Sequence, residues 1–471
     1  MNKRFTLTTL ALAALLSGCS FIPQYERPAA PVPAAYATPG TEATAEAAPA
    51  AIADWKDYFS DPRLRQLLEA ALVNNRDLRV AVLNIEQARA QFQIQRSQQF
   101  PSIGLGASAQ RAPNAFGKMT NTYSVGGILS SWELDFWGRL GSLKEQALHQ
   151  YLATEEARKA VQTSLVANVA NGWYTLLADE ELLDISRRTL ATREESVKLT
   201  KMRFDVGAAS ELDYQQAQSL TEAARATLAQ QQRQRALDEN ALALLLGQPL
   251  PDDVRASLPG SRLADVPAMA NVPAGLPSDL LVRRPDVRQA EQQLIAANAN
   301  IGAARAAFFP TITLTAQAGT ASTELSGLFK SGTWAFMPTA SALLPIFNAG
   351  RNQASLESSK AGRDIAVAQY EKAIQSAFRE VSDALASQGT LADQARAQQA
   401  QAVADTARYK LSDLRYQNGV ASYLDLLDAQ RSLFATEQSV VQVRLAQLQN
   451  QVTLYKALGG GWTEESAKAP S

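Results

Sequence analysis

The polar and apolar positions of this chain follow a helical period, switch to strict alternation and return to a helical period, and they do so twice. Residues 63–100 contain no Gly or Pro and read as a helix, ended by Pro101 because the residue before proline avoids the α region. From Ser102 the segment "SIGLGASAQR" alternates, with Ile103, Leu105, Ala107 and Ala109 on one face, which predicts a strand. A loop with Pro113 and Gly117 leads to "YSVGGILSSWELDF", a second strand closed by Gly138, so the pair occupies 102–137. The plan recurs with a helix over 278–309 and a strand pair over 311–347. There Pro338 and Pro345 mark bends or an edge.

A very long helical run follows each strand pair. Residues 140–206 contain only Gly141 and Gly172 as breakers, and 352–418 only Gly362 and Gly389. About 67 residues would extend roughly 100 Å, more than one globular core can cover, so the runs must pack laterally on other helices. Shorter helices, about 36 residues each, are expected over 211–246 and 423–458.

The turn between long and short helix is written twice. "RFDVGAASELDYQQAQ" begins at Arg203 and "RYQNGVASYLDLLDAQ" at Arg415, 212 residues later, with half of the sixteen positions identical. Gly207 and Gly419 stand where a left-handed helix stop costs little. Ser210 and Ser422 are N-cap candidates, and Asp213 and Asp425 stand at N3, a Ser-x-x-acid capping box. Each phrase is the tip of a helical hairpin. Upstream the offset becomes 209: Asp77 and Arg79 meet Asp286 and Arg288, and "FPSI" meets "FPTI". Residues 63–247 and 278–459 are therefore two copies of a whole structural unit, far beyond solenoid periods. The Pro-rich stretch 248–277 is an irregular equatorial segment between them, and 460–471 is a tail.

Composition removes most chemistry. Net charge is −1, His149 is the only histidine and Cys19 the only cysteine. These leave no histidine metal site, Cys–His nucleophile or internal disulfide, and nothing that calls for nucleic acid. No nucleophile–base pair or carboxylate dyad stands out, so no enzyme, cofactor or metal is expected. "MNKRF" followed by "TLTTLALAALL" reads as an export signal over 1–18, too short to span a bilayer. "LSGC" resembles a lipoprotein cleavage box, which implies lipidation at Cys19, with Ser20 favouring the outer membrane. The alternative is an incidental cysteine after an ordinary signal. Residues 19–62, rich in Pro and Ala, read as a lipidated tether.

After the signal no apolar run is long enough to span as a helix, so only the strands could cross a bilayer. Four cannot close, since the smallest such barrels have about eight. Two chains would pool eight and three would pool twelve.

The chain resembles TolC-like outer-membrane efflux channels, in the lipoprotein branch that serves resistance-nodulation-division pumps. The likeness runs from "LSGC" through "ERPAAP", "NNRDLRVA", "WELDFWGRL", "LPSDLLVRRPDV" and "AANANIGAARAAFFPTITL" to "LDAQRSLF" and "LYKALGGGW". It implies an α+β homotrimer: a twelve-stranded β-barrel in the outer membrane, continuous with a periplasmic barrel of antiparallel helical hairpins. It also implies passive export of drugs and other small molecules, with a periplasmic membrane-fusion adaptor and a proton-driven inner-membrane transporter as partners. Alternatives are a type I protein-secretion duct or a lipid-anchored coiled-coil scaffold with no pore.

Leu424 and Asp428 lie one helical turn apart on one face, where the first copy has Leu212 and Gln216. The resemblance implies a periplasmic constriction at Leu424 and Asp428, held by Arg415 and Tyr416, with Asp205 and Asp213 as partners on the neighbouring hairpin. Gly207, Ser210, Gly419, Ser422 and Asp425 form the tips that would meet the adaptor. The plain alternative has Leu424 packed within its hairpin and Asp428 solvated. Arg283-Arg284-Pro285-Asp286 reads as a helix start, and Gly459-Gly460-Gly461 as a helix stop. Trp132, Phe136 and Trp137 fit either an interfacial girdle or packing at the strand-to-helix junction.

Overall fold

A computed structural model describes residues 20–33, 36, 54–270 and 283–460. Its helices are α1 (Trp55–Tyr58), α2 (Pro62–Asn74), α3 (Arg76–Ser97), α4 (Arg139–Asp205), α5 (Glu211–Leu246), α6 (Asp252–Ala256), α7 (Pro285–Ala306), α8 (Arg351–Gln417) and α9 (Tyr423–Ala457). Its strands are β1 (Ile103–Pro113), β2 (Met119–Leu134), β3 (Thr311–Ser322) and β4 (Trp334–Leu343). The chain divides into two units. One holds residues 83–156 and 288–373 with the described part of 1–30; the other holds 157–287 and 374–471 with the described part of 31–82.

The first unit is built on an antiparallel sheet in the order β1-β2-β3-β4. Directly paired residues share a face. One face carries Ile103, Leu105, Ala107, Val125, Leu129, Ala316, Ala318 and Phe336, with Tyr123 and Trp334 among them. The other carries hydroxyls and amides that bond across strands: Ser108 to Ser124 at 2.8 Å, Gln317 to Ser124 at 3.3 Å, and Thr313 to Ser341 at 2.7 Å. Gly126 pairs with Gly319, and a Cβ on either would lie within 2.3 Å of the opposite strand's backbone, so only glycine fits at this crossing. Pro338 lies inside β4 opposite Ala316, on a strand that is an edge within the chain.

In the same unit the segment from Ser20 is docked on the fold, which corrects the expectation of a free tether. Phe21 stacks on Phe309 at 4.7 Å, and Phe309 stacks on Trp137 at 4.8 Å. The Pro23 carbonyl accepts from Asn298, and Tyr25 and Arg27 both reach Glu291. Trp137 donates to the Pro310 carbonyl at 2.8 Å and Trp132 to that of Gln99, so both indoles serve the strand-to-helix junction. His149 is held by Gln292 at 2.6 Å.

The second unit carries the main apolar core. Trp173, fully buried, donates to Asp61 at 3.1 Å, and Asp61 in turn caps α2 through the Arg63 amide. Trp55, Tyr58 and Phe59 are buried in this core together with Leu250, Val254, Leu258 and Leu263. Residues 54–62 are thus anchored to the core through Trp55, Tyr58 and Phe59, and the described part of the equatorial segment is pinned to it by Leu250, Val254, Leu258 and Leu263. The helix expected over 63–100 is broken at Asn75, whose extended backbone ends α2. Its side chain accepts from the Leu78 amide at 2.9 Å, capping α3, and donates to the Leu245 carbonyl at 2.8 Å. A chain that needs neither Gly nor Pro to break is hard to read from breakers alone.

Candidate functional site

Both hairpin tips follow the capping chemistry of their sequence. Gly207 and Gly419 adopt φ of 74° and 71°, the left-handed region. At the first tip the Ser210 hydroxyl accepts from the Asp213 amide and the Asp213 carboxylate accepts from the Ser210 amide; Ser422 and Asp425 repeat this. The Asp425 carboxyl is held below its ordinary value by the Ser422 hydroxyl and amide. A cap of this kind stabilises a helix by about 1 kcal/mol.

Around the second tip Leu424 is 58% exposed, so it does not pack inside its own hairpin. Val206, Leu212 and Val420 are exposed on the tips as well. Asp428 stays exposed, with its side chain 62% accessible, and pairs with Arg408 of α8, which also reaches Ser432. Asp205 pairs with Lys201 at 3.0 Å one turn back along α4. Tyr416 lies tilted against Tyr423 at 5.4 Å, and the Arg203 guanidinium sits 4.8 Å over its ring. The Arg415 carbonyl accepts from Val420 and Ala421, closing the turn. Cys19 lies outside the described residues.

Three residues missed in the sequence join the tips. Tyr423, Arg203 and Arg408 link α4, α8 and α9, although each looks like an ordinary surface residue of its own helix. For Tyr423 the difference between copies was a hint, since it stands where the first copy has Glu211; Arg203, identical to Arg415 in the other copy, gave none.

Nothing in this geometry is built for bond chemistry. Among the described residues no group of acidic, cysteine or histidine side chains could hold a metal, and no helix is long and apolar enough to cross a membrane. A chain that carries both a sheet with one apolar and one hydroxyl-lined face, left open at β1 and β4, and two capped helical hairpins has the parts of a membrane-channel subunit. The family model described as outer membrane efflux protein matches residues 67–248 and 276–460, and the chain belongs to that family. It is an outer-membrane transport component and not an enzyme.

The antibiotic efflux pump outer membrane protein ArpC of Pseudomonas putida is 48% identical over 98% of this chain and 97% of its own length. The toluene efflux pump outer membrane protein TtgC of the same species matches to the same extent. The crystal structure of the open state of the Neisseria gonorrhoeae MtrE outer membrane channel has a TM-score of 0.83 and 39% identity, covering 94% of this chain and 98% of that one.

Proposed function

We propose that the chain is the exit duct of a tripartite pump, passing antibiotics, solvents and similar small molecules outward without selecting or energising them. The observation that carries this is the two-faced, four-stranded sheet. Its apolar face suits lipid and its hydroxyl face suits water, but four strands cannot enclose a lumen. Three chains contribute twelve strands, making a homotrimer. The named cargoes of the antibiotic and toluene pump relatives give the cargo class.

Selection and energy come from partners: a periplasmic adaptor meeting the capped tips at Gly207, Ser210, Gly419, Ser422 and Asp425, and a proton-driven inner-membrane transporter. Cys19 carries the lipid. The exposed Leu424 and the ring of Asp428 carboxylates form the periplasmic constriction, with Arg415 and Tyr416 holding it against Asp205 and Asp213 of the neighbouring hairpin. Native mass spectrometry of the membrane form, combined with conductance in planar bilayers, tests the reading. A trimer with discrete channel currents is expected. A stable monomer or dimer as the only membrane form, or no current in any lipid, would overturn it.

A further inference from the structure

β1 and β4 are the outer strands of the sheet, and each keeps one edge that nothing in the chain pairs with. The duplication specifies how those two edges meet. The "FPSI" and "FPTI" motifs make β1 and β3 equivalent, with Ile103 matching Ile312 and Ala109 matching Ala318. Pairing inside each copy then aligns the other two strands. Ile103 faces Leu129 where Ile312 faces Ala342, and Ala109 faces Tyr123 where Ala318 faces Phe336. Leu129 therefore matches Ala342, and Tyr123 matches Phe336, aromatic on aromatic.

The two copies meet within the chain where β2 pairs with β3, with Leu129 opposite Ala316 and Ile128 opposite Gln317. Exchanging each residue for its equivalent gives the pairing of β4 with β1 of a second chain. Ala342 falls opposite Ala107, and Ser341 falls opposite Ser108. We infer that this is the register of the seam between chains: Ser341 of one lies against Ser108 of the next, and the other pairs follow antiparallel from it. The inference rests on the homotrimer proposed above and adds the alignment of its seams.

Two features of the single chain agree with this register. Ser108 bonds to Ser124 and Thr313 to Ser341, as separate hydroxyl pairs at opposite sides of the sheet. Across the seam their outer members meet, so the two pairs become one hydroxyl track. On the apolar side Leu344, just past the end of β4, comes level with Leu105, and both are exposed in the single chain. A slip of one residue would turn the apolar face of one chain toward the hydroxyl face of the next. A slip of two keeps the faces but separates the serines, setting Ser341 against Gly106 or Gln110.

The test is disulfide cross-linking of the full-length protein in membranes. Ser341→Cys combined with Ser108→Cys, mildly oxidised, should give covalent dimers and trimers on denaturing gels, and reductant should return them to monomer. Opposed residues have Cα atoms about 4.5–5.5 Å apart, within disulfide reach; diagonal neighbours, about 7–8 Å apart, are beyond it. Thr339→Cys or Leu343→Cys, each combined with Ser108→Cys, should therefore cross-link about tenfold less. Inside one chain β1 and β4 are three strand spacings apart, roughly 14 Å, so the link forms only between chains. Either single variant, with Cys19 retained, should give no covalent trimer. Ala340→Cys with Ala109→Cys reads the same register on the apolar face if the serine pair fails to assemble. Native mass spectrometry of the unoxidised proteins reports assembly. A trimer in which a slipped pair links best, or in which neither matched pair links, would overturn the register and leave the homotrimer standing. Wild-type protein that is never trimeric would overturn the homotrimer itself.

Discussion

The Ser196 hydroxyl of α4 and the Tyr423 hydroxyl at the start of α9 lie 3.0 Å apart, so one hydrogen bond joins the two hairpins of a chain near their tips. Tyr423 is buried beside Ala217 and Leu427, and burial raises its phenol above the ordinary value, which keeps it a neutral partner for Ser196. Motion of the second tip away from α4 must break this contact. Tyr423→Phe keeps the ring and removes the bond, at about 1 kcal/mol. If opening separates the hairpins here, the open fraction rises about fivefold. Single-channel records of the assembled variant measure this, and an unchanged open fraction would remove the bond from the gating account.

The proposed constriction has its own test. Leu424→Ala combined with Asp428→Ala is expected to raise single-channel conductance and lower cation preference, because an apolar ring and a carboxylate ring are deleted together. Arg408, which pairs with Asp428 in the chain, is then released. Assembly must be verified alongside the current. An assembled double variant with wild-type conductance and selectivity would place the narrow point elsewhere.

Asp179 of α4 gives a pH dependence. Burial, then the neighbouring Asp238 carboxylate, raise its pKa from 3.8 to about 8. The unfolded chain releases this proton near pH 4, while the folded chain keeps it until about pH 8. Through that window the folded state binds more protons, so the group's contribution to stability falls as pH rises, by at most about 1.4 kcal/mol per pH unit. Asp179→Asn should flatten that slope and raise the melting temperature at pH 8 more than at pH 4. Thermal unfolding of both proteins at the two values measures it; parallel curves would refute the assignment.

Mass spectrometry of the mature N-terminus should find a lipid on Cys19. With Phe21 stacked on Phe309 only two residues later, Cys19→Ser should weaken membrane retention without preventing trimer formation. An unmodified Cys19, or cleavage at another position, would refute the lipoprotein assignment.

The hairpins were legible because their signals are local. Gly207 and Gly419 with their capping boxes each need only a few adjacent residues, and α5 begins and ends at the residues expected from the pattern, Glu211 and Leu246. The break at Asn75 was not legible, because it depends on a carbonyl at Leu245, distant in sequence, that receives the Asn75 amide. The same holds for Trp55 and Phe59, which look like part of a Pro- and Ala-rich leader until the helices they pack against are in place. At the candidate gate, Leu424 and Asp428 were read from spacing and resemblance. Arg408 was not, since an arginine on a long polar helix has no distinguishing neighbours in the sequence.

The pairing of β2 with β3 joins the second strand of one copy to the first strand of the other, with the same antiparallel geometry as inside each copy. A unit that pairs so regularly with its own duplicate has self-complementary edges. A half-length ancestor could therefore have built the same twelve-stranded ring from six identical chains, and gene fusion would have halved the stoichiometry without redesigning a seam. Fusion also lifts a constraint. In a ring of six, any acid at the mouth recurs six times at one radius, with the mutual repulsion that entails. A fused chain can carry Asp428 in one copy and Gln216 in the other, so under the proposed role of Asp428 the charge at the constriction is adjustable independently of the scaffold that carries it.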